Sequence, residues 1–441
     1  MFSSRRDFLV KSGALLALPF IPRTSFAADA DVVIIGAGSS GLSAAQTLID
    51  ANVSFQLLEA GNRIGGRAYT DSTTFGVPFD QGCWLQHSSI SNPWVKFAIK
   101  HGFDIGPMPS ALGHRVWVGS RQAYFTERQA MSKTYRKMRT AIVQAAASDR
   151  DISARHAIEK LERNQWSSMV EGWVSSGRDL DELSTRDWWM RGGAGPNYHC
   201  GAGYGTLVSK FGKNIPVNLN TPVTEIDWSG KGVRVQTDSG VLAARYCIIT
   251  VSNGVLAAEG IRFKPSLPQW KADAIQAIQM ANKLIVVLQF KQPQVLPCDQ
   301  NNWFSYWTPD GRDIPFASNV GGWGVQRGAV GGQLANELSM AGPQATINFA
   351  LEGLQSALGS RVRQDFVKGW VSSWVDNPFF RGTWSMAKPG KANRRDGLRH
   401  PVGDRLMFAG EACHEFMYST CHGAYLSGKE VAIEVVGRLG K

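Results

Sequence analysis

Outside its N-terminus the 441-residue chain has no uninterrupted apolar stretch of about 18 residues, which excludes a multi-spanning membrane protein. None of the six cysteines (Cys83, Cys200, Cys247, Cys298, Cys413, Cys421) forms a C-x-x-C pair. Neither a metal site nor a disulfide framework is therefore read, and buried free thiols are expected. No dense Lys/Arg run and no nucleic-acid motif accompanies the net charge of +11, so nucleic acid is not an expected partner. Internal repeats and low-complexity tracts are also missing. What is present is 43% apolar and 19% charged residues, ample for a buried core. Glycine is in surplus, with 47 residues against a usual share of about 7%. Such a surplus points to tight turns and close backbone approaches to a ligand.

The first residues read as an address. Arg5-Arg6-Asp7-Phe8-Leu9 precedes a short apolar run, Gly13 to Ile21, and a small-residue end at Ser25-Phe26-Ala27. This is the layout of an export signal, and the paired arginines look like the twin-arginine type. A twin-arginine translocase as partner, a periplasmic location and export of a folded, cofactor-loaded protein are the expectations. Removing residues 1–27 takes away Arg5, Arg6, Lys11 and Arg23 against Asp7 and leaves +8, a diffusely basic surface.

The chain then opens with a nucleotide site. Asp31 to Ile35 is a β-branched run that reads as a buried parallel strand, and it runs into Gly36-Ala37-Gly38-Ser39-Ser40-Gly41. A helical stretch to Asp50 follows, then a second strand, Phe55 to Leu58, ending at Glu59. Gly36 permits the tight turn, Gly38 lets backbone approach a pyrophosphate, and Gly41 lets helix and strand pack closely. N–H groups of the helix and its dipole hold the anionic phosphates. Glu59 accepts hydrogen bonds from ribose hydroxyls and repels a 2′-phosphate, which disfavours NADP. Strand, glycines, helix, strand and acid in that order are far more specific than a lone GxGxxG.

Glu59-Ala60-Gly61-Asn62-Arg63-Ile64-Gly65-Gly66-Arg67 decides between FAD and NAD. From here the sequence resembles the flavin-containing amine oxidase family, in which the acid precedes a GGR motif and the arginine matching Arg67 contacts the FAD diphosphate. Gly61 stands where the family usually has arginine. Asp80-Gln81-Gly82-Cys83-Trp84 resembles the next family segment, an acid-x-Gly before an aromatic residue near the flavin. Trp374 to Ser385 (WVDNPFFRGTWS) is similar to a polyamine and spermine oxidase pattern. Phe408-Ala409-Gly410-Glu411-Ala412 with Tyr418 to Gly428 resembles that group's closing motif. The likeness covers nearly all of the chain after the signal.

The implied fold class is α/β: a Rossmann-like FAD-binding domain of GR2 type with a mixed α+β substrate-binding domain. The expected segments are 28–83, 200–282 and 390–441 for FAD, and 84–199 with 283–389 for substrate. Helical spacing of Met131, Tyr135, Met138, Ile142 and Ala145, a β-meander from Val223 to Val251, a strand Lys283 to Phe290 (KLIVVLQF), strands at 366–374 and 406–409 and a helix 422–436 complete the reading. Expected cofactor contacts are Gly36, Gly38, Ser40, Gly41, Glu59, Ala60, Gly66, Arg67, Val223, Gly410, Glu411, Thr420 and Cys421.

The chemistry implied is removal of hydride from the carbon beside a neutral amine nitrogen onto FAD, giving an imine that water hydrolyses. O2 would reoxidise the flavin to give H2O2; a periplasmic electron carrier is the alternative acceptor. Lys283 matches the family lysine that reaches the flavin through a water. Trp384 matches one wall of an aromatic sandwich around the substrate amine, and Thr420 falls where the opposite wall stands. Thr383 occupies the position of the cysteine that binds flavin covalently in monoamine oxidases, so non-covalent FAD is expected. His87 is a substrate-contact candidate, although strict alignment from Trp84 lands on Gln86. His422 reads as a structural contact near the flavin.

A small-molecule amine is the expected substrate, with a polyamine first. A polycation needs carboxylates, for which Glu171, Glu415 and Asp187 are the candidates. Rival readings are an aromatic or cyclic monoamine oxidase, an amino-acid oxidase with an arginine for the carboxylate, a desaturase or porphyrinogen oxidase, and an NAD(P)H-dependent reductase. The last normally needs a second strand-linked GxGxxG, a form that the clusters Gly201–Gly205 and Gly328–Gly332 do not have.

Overall fold

The computed structural model describes residues 28–108, 114–148, 150–161, 176–192, 195–308 and 311–441. Residues 1–27, where the sequence places the export signal, lie outside them. A seven-stranded sheet is built around β1 (Ala30–Ile35). β1 pairs in parallel with β2 (Phe55–Leu58) on one side and with Gly240–Ile249 on the other. Gly240–Ile249 pairs in parallel with Leu406–Phe408 and closes an antiparallel meander with Val233–Thr237 and Val223–Asp227. Arg262–Lys264 is the far edge. The continuous apolar run of β1 is what a strand covered on both faces requires: Val32 and Ile34 sit in one buried cluster, Val33 and Ile35 in another.

Helix α1 (Ser39–Asp50) crosses the closing helix, Cys421–Leu439, so tightly that a side chain at Gly428 would meet the Ser40 carbonyl oxygen at 2.0 Å. Hydroxyls of Ser39 and Ser43 donate to the carbonyls of Cys421 and Tyr425 at 3.0 and 2.7 Å. Two segments almost 400 residues apart in sequence thus share one core, with Leu42, Leu48, Trp94, Tyr204, Leu207 and Val435.

The second sheet runs Phe366–Val371, Lys283–Phe290, Val325–Gly331, Phe316–Ala317, Trp303–Trp307, Arg115–Val118, Arg121–Gln122. Lys283–Phe290 lies inside it and is buried on both faces, which explains its non-alternating sequence. Leu284, Val286 and Leu288 pack under the helices Gly332–Ala341 and Pro343–Leu358, while Ile285 and Val287 meet Phe75 and Phe79. The helical spacing noted above belongs to Phe125–Ala147, whose Met138, Ile142 and Ala145 are buried. Residues 84–199 also supply strands: Arg115–Val118 and Arg121–Gln122 extend the second sheet. Ile278–Met280 pairs with Ser385–Ala387 and laces the two sheets' segments together.

The remaining glycine clusters are structural. A side chain at Gly205 would meet the Thr70 amide nitrogen at 2.3 Å, and Gly328 to Gly331 lie within a sheet strand. All six cysteines are free thiols.

Candidate active site

One cavity of about 930 Å³ receives nearly all the residues singled out above, a volume at the top of the range of about 300–1,000 Å³ for ligand sites. Its first end is the β1–α1 turn. Gly36 has φ +100°, and a side chain at Gly41 would lie 1.8 Å from the Gly36 carbonyl oxygen. Gly41 therefore faces the strand rather than the cavity, as close helix–strand packing demands. Nothing lies within 4 Å of where a side chain at Gly38 would stand, so backbone there is open to a ligand. Gly38, Ser39 and Ser40 line the cavity where α1 begins without a side-chain cap, leaving first-turn N–H groups unpaired. The buried Ser40 hydroxyl has no partner either.

Glu59 is held by the amides of Ala37 (2.7 Å) and Gly61 (2.8 Å), one to each carboxylate oxygen. It lines the cavity together with Ala60 and Val223. Gly66 and Arg67 come next along the wall. Arg67 Nη1 donates to the Thr383 carbonyl at 2.7 Å and pairs with Glu411 at 3.0 Å. The Glu411 carboxylate also takes the Ser385 amide (3.1 Å) and hydroxyl (2.7 Å) and the Ser419 amide (3.2 Å). Glu411, on the cavity wall, thus also fixes Arg67 and the approach to the closing helix.

At the other end the closing helix begins. Gly410, Ser419, Thr420, Cys421 and Ala424 line the wall. Thr420 is the helix N-cap: its hydroxyl accepts from the Gly423 amide at 2.9 Å and donates to the Met417 carbonyl. Thr420 thus combines a place on the cavity wall with the capping role, its hydroxyl engaged both as donor and as acceptor. A Thr at the start of an apolar helix was the readable signal for that role.

Lys283 and Trp384 face the same space, with Nζ 5.3 Å from the indole centroid. The indole N–H donates to the Ser176 carbonyl at 3.0 Å, fixing the ring. Burial, with Arg327 and Arg191 nearby, pushes Lys283 down to about 7. His87 lines the cavity and pairs through Nδ1 with Asn197 Oδ1 at 2.9 Å. Burial among protein atoms, opposed by the Asn197 bond and aided by Arg191 and Lys283, lowers it to about 4, so it is neutral at pH 7. Gln86 is fully buried outside the cavity wall and bonds through its backbone to Tyr198; of the two alignments, only His87 reaches the cavity. His422 is also buried, off the wall and pushed down to about 3 by burial.

Of the carboxylates expected for a polycation, the two among the described residues, Asp187 and Glu415, do not line the cavity. Asp187 forms a buried pair with Arg395 at 2.9 Å and accepts from the Ala387 amide, and Glu415 pairs with Arg399 at 3.3 Å away from the cavity. Glu171 lies outside the described residues. Sequence reasoning missed Arg139, Arg191, Arg327 and Asn197, all on the wall. Arg327 lies 4.6 Å over the Trp84 ring and donates to the Gly82 carbonyl at 3.0 Å.

An open glycine turn, an unpartnered buried hydroxyl and two helix N-termini facing one cavity fit a dinucleotide whose phosphates and ring carbonyl carry negative charge. The chain matches the family of flavin-containing amine oxidoreductases over residues 39–436. It belongs to that family, and it is an FAD-dependent enzyme with a Rossmann-like cofactor domain joined to a substrate-binding domain. It is similar to polyamine oxidase 2 of Arabidopsis thaliana, 28% identical over 93% of this chain and 89% of the relative. Among solved structures it is similar to cyclohexylamine oxidase from Brevibacterium oxydans IH-35A, with a TM-score of 0.79, 21% identity and coverage of 94% and 100%. Putrescine oxidase with bound putrescine gives a TM-score of 0.77 at 18% identity, covering 93% and 99%.

Proposed function

We propose that this enzyme oxidises the C–N bond of a small amine to an imine, with O2 as acceptor. The observation that carries the reading is Lys283 and Trp384, 5.3 Å apart, on the wall of the cavity that also holds the dinucleotide cradle. FAD bound there supplies a two-electron acceptor: hydride leaves the carbon beside nitrogen, the lone pair closes the C=N bond, water releases a carbonyl compound and an amine, and O2 becomes H2O2. Trp384 presents an aromatic surface that orients the substrate nitrogen. Lys283, uncharged in a large fraction of molecules at neutral pH, can hold a water and accept a proton from it. Thr420 and the amides behind it present positive dipole at the cavity wall, which would favour negative charge on a group bound there.

Thr383, whose hydroxyl donates to the Ala281 carbonyl at 2.9 Å, supports non-covalent FAD. The name of the plant relative supports a polyamine; the described cavity wall, which lacks a free carboxylate, does not. The test is anaerobic mixing of the yellow holoenzyme with a panel of amines. Bleaching by an amine, then recolouring with H2O2 release in air, is expected. Bleaching by NADH with none by any amine refutes the reading. We also propose periplasmic export by the twin-arginine route: Arg5→Lys with Arg6→Lys should retain the protein in the cytoplasm.

A further inference from the structure

Charge divides the cavity in two. Among the described residues its carboxylates are Glu59, clasped by two backbone amides, and Glu411, paired with Arg67. The other charged side chains on the wall are cations: Lys283 with Arg191 and Arg327 near it, Arg139, and the exposed Arg381. Arg327 is committed to the Gly82 carbonyl and the Trp84 face, and Arg139 lies 5.0 Å over the Trp188 ring. Arg191 has no carboxylate partner among the described residues, although it is half-buried on the wall.

Its backbone is nonetheless firmly placed. Arg191 follows the helix Thr185–Met190, capped by the Ser184 hydroxyl and anchored by the buried Asp187–Arg395 pair. The next amide, Gly192, donates to the Phe416 carbonyl at 2.6 Å. From a backbone placed this way the planar fork of the guanidinium is suited to bidentate capture of a carboxylate, phosphonate or sulfonate.

We propose that the substrate of this site is an amine bearing an anionic group, and that Arg191 receives that group while the nitrogen lies between Trp384 and Lys283. The inference rests on the amine-oxidation reading and specifies its substrate class. The same cations that attract the anionic group penalise an ammonium ion, so they favour the uncharged nitrogen whose lone pair the reaction requires. A polyammonium ion would meet like charge on that wall. The net charge of +8 after residues 1–27 steers anions inward rather than cations.

The test separates binding from turnover. Holoenzyme is titrated with hexanoate and 3-phenylpropanoate, which carry no oxidisable amine, while the visible flavin spectrum is followed. Saturable perturbation is expected, weakened at least about 10-fold in Arg191→Gln and partly restored in Arg191→Lys, with flavin content and Tm as in the parent. In parallel, bleaching rates are compared for α-amino acids, their decarboxylated counterparts and spermidine. The acids should have the higher kcat/KM, and Arg191→Gln should shrink that preference at least about 10-fold. Preference for spermidine, or carboxylate binding indifferent to Arg191, overturns the proposal. Arg191-dependent carboxylate binding with no bleaching by any amine would keep the anion site and remove the oxidation reading instead.

Discussion

The ion pair between Asp187 and Arg395 separates a structural from a substrate-binding role for the acid. Its side chains are 2% and 7% exposed and 2.9 Å apart. The guanidinium also donates to the Ser385 hydroxyl (2.9 Å) and the Ala412 carbonyl (3.1 Å) and stacks 3.7 Å from the Tyr418 ring. Arg395→Met leaves the buried Asp187 carboxylate with the Ala387 amide but without its cation, which costs about 3–5 kcal/mol. At about 2.1 cal/mol/K per residue over the folded chain, a two-state unit loses about 3–6 °C in Tm. Differential scanning calorimetry of the holoenzyme, with flavin fluorescence as a second probe, reads this directly.

The pair Asp187→Leu with Arg395→Met should recover part of the loss, because no charge is then left unpaired; the orphaned Ala387 amide (2.9 Å from Asp187) keeps recovery incomplete. The amine KM should stay within about 3-fold in whichever variants retain flavin, a change of under about 1 kcal/mol. A Tm shift below about 1 °C in Arg395→Met or Asp187→Asn, together with a large rise in KM, would make Asp187 a substrate carboxylate and refute the argument.

Three further outcomes follow from the geometry. Gly41→Ala places a methyl group 1.8 Å from the Gly36 carbonyl oxygen, so strand and helix must separate; purified protein should hold little FAD, by absorbance per chain, and unfold at lower temperature. The flavin reduction rate with saturating amine should rise between pH 6 and 8, because Lys283, held near 7 by burial and two guanidinium groups, loses its charge there. That rise should vanish in Lys283→Met and persist in His87→Asn, since His87 at about 4 is already neutral. Acid precipitation should leave all flavin in the supernatant; colour retained in the pellet would point to a bond through Cys83, Cys413 or Cys421, the thiols on the cavity wall.

Much of the cradle was legible because its physics is local. Gly36 to Gly41 must turn a strand into a helix within six residues, and only glycine tolerates a φ of +100° at Gly36 or the contact at Gly41. Lys283–Phe290 announced itself as a strand by its unbroken apolar run, although its burial on both faces depends on helices and a loop elsewhere. Thr420, which the family register placed opposite Trp384, lines the same cavity, and the helix it precedes also claims its hydroxyl, a role the register did not contain. Capping competes with ligand contact for one small side chain, and here the cap takes both hydrogen bonds.

By itself the sequence determined the order of strand, glycine turn, helix and acid that builds a dinucleotide site, since each step constrains only near neighbours. The charge of the substrate pocket was decided by tertiary structure alone. Asp187 read as an available acid until the fold set Arg395, 208 residues away, beside it, and Arg191 was one unremarked cation until Gly192 was tied to Phe416. Whether a charge is free or cancelled depends on what the fold brings within about 4 Å of it, and sequence separation carries no record of that distance.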